Sequence, residues 1–143
     1  MAEASSEGFE QIKARLQRMI AAKQEALKAS GVAVLTESQK TITSGGNGWA
    51  PWSTNYKPKR VHQMLWDTGT LLRSLSIGDE HNIFRTDGDD SIVVGSNVKY
   101  AAAQNYGYSP RNLPARPYLV LNAQVEEVAK KAFAAQLQRA FNS

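Results

Sequence analysis

From Phe9 to Ile42 the apolar residues recur at helical spacing: Phe9, Ile12, Leu16, Met19, Ile20, Leu27, Val34, Leu35 and Ile42. At about 100° per residue they share one arc a little under half of a helix circumference. Arg15, Arg18, Glu25 and Lys28 lie outside the arc, and Lys13 falls within it. The pattern predicts one long amphipathic helix, ~50 Å at roughly 1.5 Å per residue, with Gly31 as the candidate interruption. SGGNG, Ser44 to Gly48, ends it, because glycine and asparagine supply the positive φ that a helix terminus needs.

Periodicity then lapses over residues 45–63, a long loop rich in Gly, Pro, Trp and basic residues. Leu65 to Arg73 reads as a short helix, and Ser74 to Ile77 alternates like the start of a strand. TDGDD, Thr86 to Asp90, has hairpin-turn chemistry, and SIVVG, Ser91 to Gly95, is a second strand. Tyr100 to Tyr106 is a short helix stopped by Gly107, and a proline-stiffened loop follows. Asn122 caps a last helix running to about Phe141. The sum is an α+β fold, a small antiparallel sheet packed by long N-terminal and C-terminal helices. It forms one domain over residues 1–143, of a length that supports one hydrophobic core.

The last helix has two stripes. Leu121, Val125, Val128 and Ala132 share one face, while Phe133, Leu137 and Phe141 lie a third of a turn or more away. Either the chain bends around its own sheet, or these three aromatic and aliphatic residues face another molecule.

Composition narrows the classes. The chain has no cysteine, which removes disulfides and thiolate metal sites. No apolar run approaches the roughly 20 residues that span a bilayer, and MAEASSEGFEQIK lacks the apolar segment of a secretory signal. The net charge of +4 is uneven: Lys99, Arg111, Arg116, Lys130, Lys131 and Arg139 face only Glu126 and Glu127 in the last third, whereas Asp79 to Asp90 is acidic. Solvated faces explain this more simply than a nucleic-acid footprint, and the asymmetry permits head-to-tail attraction between copies. In the long loop, Trp49, Trp52 and Tyr56 mix with Lys57, Lys59 and Arg60. Contact with protein, from its own domain or a neighbouring subunit, is preferred; a nucleic-acid-binding module using residues 49–60 is the alternative.

LWDTGT, Leu65 to Thr70, imitates an aspartic-protease half-site. That chemistry needs two carboxylates sharing a proton, with Asp-Thr-Gly on a tight loop between strands. Only 27 residues separate Asp67 from Gly95, and they must hold a short helix and a hairpin. Asp67 reads better as an N-cap accepting the Gly69 or Thr70 N–H. His62 and His81 lack ligand spacing, and Asp87, Asp89 and Asp90 lack the rest of a calcium loop. GGNG is followed by no Lys-Ser/Thr, and the serines have no His–Asp partner in register. No catalytic, metal or cofactor site is expected.

Taken in order, GWAPWS, LWDTGTLLRSL, VVGSNVKYAAAQNYG and LPARPYL resemble the phage virion morphogenesis proteins of the Mu-like type, and more loosely the phage tail-completion and head–tail joining group. The motifs cover about residues 49–121. Trp49 and Pro51 match the loop motif; Leu65, Thr68, Gly69, Leu71 and Ser74 match the segment after it. Gly95, Tyr100, Ala101, Tyr106 and Gly107 match the strand and helix, and Pro114 to Leu119 match the last loop. Family members often carry His-Gln-Phe-Gly where this chain has Gln104-Asn105-Tyr106-Gly107, and Phe in place of Tyr118, which weakens any pH-sensitive or metal role there.

The resemblance implies a non-enzymatic structural protein of the virion, assembled in the host cytoplasm, binding other phage neck or tail proteins and forming an oligomeric ring. The expected interface residues are Trp49, Trp52, Lys57, Lys59, Arg60, Arg116, Tyr118, Phe133, Leu137 and Phe141. Pro114 and Pro117 hold Arg116 on a stiff support, suited to a bidentate carboxylate or to several backbone carbonyls. Two readings stay open for it: a lock within its own subunit, or a bridge between subunits.

Overall fold

The computed structural model describes residues 6–46, 48–52, 64–65 and 69–143. The long amphipathic segment is two helices, α1 (Ser6–Ala21) and α2 (Lys23–Thr43), interrupted at Ala22. The interruption is slight. Ala22 N–H still donates to Arg18 O at 3.0 Å, and Ala26 N–H to Ala22 O at 2.9 Å, so the two helices continue one another.

Gly31, expected as the break, sits inside α2 and is buried. A Cβ there would lie 2.9–3.0 Å from side-chain atoms of Ile92, Phe84 and Val94. The missing side chain therefore lets the sheet approach the helix, and this packing outweighs the roughly 1 kcal/mol that mid-helix glycine costs.

The sheet is a hairpin of β1 (Asn82–Asp87) and β2 (Ser91–Ser96), antiparallel, with Phe84 opposite Val94 and Thr86 opposite Ile92. Gly88, at φ +69°, makes the tight reversal expected of TDGDD. At its tip Asp90 pairs with Lys23 and Asp89 O accepts from Gln24 Nε2, so the hairpin ends against the first turn of α2.

Two expectations need correction. The helix predicted over Leu65 to Arg73 is only α3 (Thr70–Arg73), because Leu65 (φ +63°) and Gly69 (φ +82°) are left-handed and cannot continue a right-handed helix. Gly69, not Asp67, occupies its N-cap; Asp67 lies outside the described residues. Ser74 to Ile77 is a run of turns rather than a strand. Leu75 N–H bonds to Leu72 O and Ser76 N–H to Arg73 O, continuing helical winding, and the strand partner of β2 lies further on.

α4 (Ala101–Tyr106) ends at Gly107, a short 3-10 turn covers Ser109–Arg111, and α5 (Ala123–Asn142) closes the chain. Asn122 caps α5 as expected, its Oδ1 accepting the Val125 N–H at 2.9 Å. The core joins Leu35, Ile42, Leu71, Leu75, Val98, Ala101 and Tyr118 around the second half of α2. α5 packs along α2 and, at its far end, along α1, where Arg15 covers the Phe141 ring and Arg18 Nε donates to Ala140 O. α5 thus runs antiparallel to the α1–α2 rod. Among the described residues no helix is long and apolar enough to cross a membrane.

Candidate interaction surfaces

The loop LPARPYL and the segment GWAP are tied to each other. Trp49 lies over Gly46, where a Cβ would fall 2.0–2.7 Å from the indole, and its Nε1–H donates to Pro117 O at 2.8 Å. Arg116 reaches back: Nε donates to Ala50 O and Nη2 to Pro51 O, each at 3.0 Å. The guanidinium is buried, and two carbonyls satisfy the fork that Pro114 and Pro117 aim at them. Arg116 N–H donates to Gln104 O, anchoring the loop to α4.

Asn105 is the hub of the adjoining contact. Its Oδ1 accepts from Tyr118 N and Leu119 N at 2.9 and 3.0 Å, and its Nδ2 donates to Leu119 O at 3.3 Å. Tyr118 OH donates to Ala101 O at 3.2 Å. Burial, and after it the neighbouring Tyr106 and Tyr100, push the Tyr118 phenol up to about 12. Gly107 closes the knot at φ +82°, where a Cβ would meet Ala115 N at 2.9 Å.

Sequence reasoning passed over Asn105, which is buried at 5% exposure. The available signal was its place four residues after Ala101, on the same face of a short helix as an apolar core position.

These positions sort the expected interface residues. Arg116 and Tyr118 are inside the subunit, 6% and 3% exposed, with their polar atoms bonded within it. Of the two readings for Arg116 the structure has the internal lock. Trp49 and Trp52 are half-buried; Lys57, Lys59 and Arg60 lie outside the described residues. Phe133, Leu137 and Phe141 are half-buried too, and α1 covers part of their end of α5.

What the chain does leave open lies elsewhere. On α1, Phe9, Ile12, Leu16 and Ile20 are 65%, 53%, 47% and 73% exposed. At the other end of α5, Leu121 and Tyr106 are 70% and 77% exposed. Among the described residues no group of three or more His, Cys, Asp or Glu is placed to hold a metal ion. Asp90 of the acidic turn is paired with Lys23.

Trp49, Asn105, Gly107, Arg116 and Tyr118 therefore form one internal knot, and a family profile matches residues 4–138. The chain belongs to the phage virion morphogenesis family. No curated protein and no solved structure matches it significantly. Family membership supports a structural role in building the phage particle, as a virion-associated protein that interacts with other phage proteins.

Proposed function

We propose that this chain is a non-enzymatic joining piece of the virion neck, acting in tail completion or head–tail joining as a ring of identical copies. The observation that carries the reading is the fate of the family motifs. Trp49, Gly107, Arg116 and Tyr118 of those motifs, together with Asn105, hold two loops and α4 together. A signature used to fix a shape fits a protein that works by the form of its surfaces. Copies in a ring meet through two different patches, and a closed ring results where the rotation between neighbours closes.

In this reading the loop from Trp49 to Arg60, with Trp52, Lys57 and Lys59, and the open edges of Phe133, Leu137 and Phe141 meet neighbouring phage proteins. Assembly takes place in the host cytoplasm, and the 143 residues act as one unit.

The test is electron microscopy of particles made without this protein. The expected result is filled heads and finished tails accumulating unjoined, with joining restored by the wild-type chain and by Asp67→Asn. Normal joined particles in its absence, or failure of Asp67→Asn alone to restore them while still folding, would overturn the proposal.

A further inference from the structure

Among the described residues the α1 stripe leaves four large apolar side chains of one helix exposed, and its cause is geometric. At about 100° per residue, Phe9, Leu16 and Ile20 point close to the direction in which Gly31, Ser38 and Ile42 of α2 meet the hairpin and core. The hairpin stops at Lys23, so α1 carries the same face past the end of its cover. α5 gives no substitute, because it meets α1 on another side, through Arg15 and Arg18.

A second patch sits at the opposite end. Val120 and Leu121 lead into α5, and Tyr106 adjoins the Asn105 hub that binds Leu119. α1 lies against the last turn of α5, Leu121 before its first. The length of α5, about 30 Å at 1.5 Å per residue, therefore separates the patches.

We propose that the α1 stripe of one copy docks on the Tyr106–Leu121 end of the next, giving a head-to-tail contact. This rests on the ring reading and names the surfaces that would build it. Two observations select a second copy as the occupant. The patches lie at opposite ends, the arrangement that a heterologous contact requires. Their areas suffice. Four large side chains half to three-quarters open leave on the order of 500 Å². With a similar area opposite, the contact reaches the ~1,000 Å² of a specific interface. Lys13, inside the stripe, lays its alkyl stem along the contact and keeps its ammonium at the rim.

The absence of native cysteine makes a direct test available. Leu16→Cys and Tyr106→Cys chains are oxidised separately, mixed, and as the double variant, all in the full-length chain. The proposal expects no disulfide dimer from either variant alone, a mixed dimer from the mixture, and a ladder from the double variant. Self-linking of Leu16→Cys would mean that α1 pairs with its own copy, and it overturns the head-to-tail contact.

Light scattering over a concentration series supplies the second arm. Leu16→Glu is expected to weaken self-association at least about tenfold while leaving the circular dichroism spectrum and Tm near wild type. Undiminished association of Leu16→Glu overturns this contact but leaves the ring standing. A wild-type chain monomeric at every concentration, with no cross-link in any variant, overturns both.

Discussion

The two ends of the α1–α2 rod make an instructive pair. Ile42 and Ile20 are the same residue, on the same kind of stripe, in helices that nearly continue each other. One is fully buried among Leu35, Leu71 and Leu75; the other is 73% exposed. Both belong to the same apolar arc of the Phe9–Ile42 pattern. Only what lies opposite differs. α2 has the hairpin along its first half, α5 along its length and the core residues Leu71, Leu75, Ala101 and Tyr118 around its second half, and α1 has one edge of α5. Amphipathicity is therefore a demand for a partner, which the fold meets at one end and leaves open at the other.

The contrast is sharpest where truncation opens a cavity. Ile42→Ala should lower unfolding free energy by about 4 kcal/mol, read from urea midpoints. A loss under about 1 kcal/mol would mean that the core end is as loosely packed as the arm.

Arg116→Ala removes a buried guanidinium that ties down the carbonyls of half-buried Ala50 and exposed Pro51. It should cost about 3 kcal/mol and speed proteolysis within the GWAP segment before global unfolding. Arg116→Lys should recover only part of this, because an ammonium lacks the planar fork. Complete rescue by Lys would remove geometry from the explanation.

A third measurement uses pH. The Tyr118 phenol ionises near 10 when unfolded and at about 12 when folded. The folded chain thus holds this proton over an interval in which the unfolded chain has lost it. Its stabilisation is intact below pH 10 and disappears as pH climbs toward about 12, a fall of roughly 2 kcal/mol. The difference between wild type and Tyr118→Phe, followed from about pH 9 to about pH 11.5, isolates this share. A pH-independent difference would show that the phenol is not sealed.

Ile20→Ala closes the series. At monomer concentrations it should change stability by no more than about 0.5 kcal/mol, against the large loss for the same substitution at position 42. A loss of several kcal/mol would mean that α1 is covered within the subunit.

Much of this contrast could be read from the residues. The α1–α2 stripe, the reversal at TDGDD, the second strand, the α4 stop at Gly107 and the Asn122 cap are local signals, and the structure has all of them. Non-local contacts were beyond reach. Ser74 to Ile77 alternates like a strand, and only the bonds of its backbone to Leu72 and Arg73 reveal turns. Asn82 to Asp87 carries little alternation, and it becomes a strand through pairing with Ser91 to Ser96 and through Phe84 meeting the gap at Gly31. Gly31 looked like a break because its value lies in the side chains opposite it. Arg116 was legible as a held guanidinium, but its acceptors are carbonyls more than 60 residues away. The open stripe on α1 was legible as a stripe; that it would be open was not.

The six-residue strands of the hairpin act as a ruler. Their reach, stopped where Asp90 meets Lys23, decides how much of the rod the subunit seals for itself. A ribbon longer by two residue pairs, about 7 Å, would reach over Ile20 and shorten the open stripe. The extent of open apolar surface on α1 is thus set by a length, adjustable through insertion at one turn without altering a single residue of the helix it would hide.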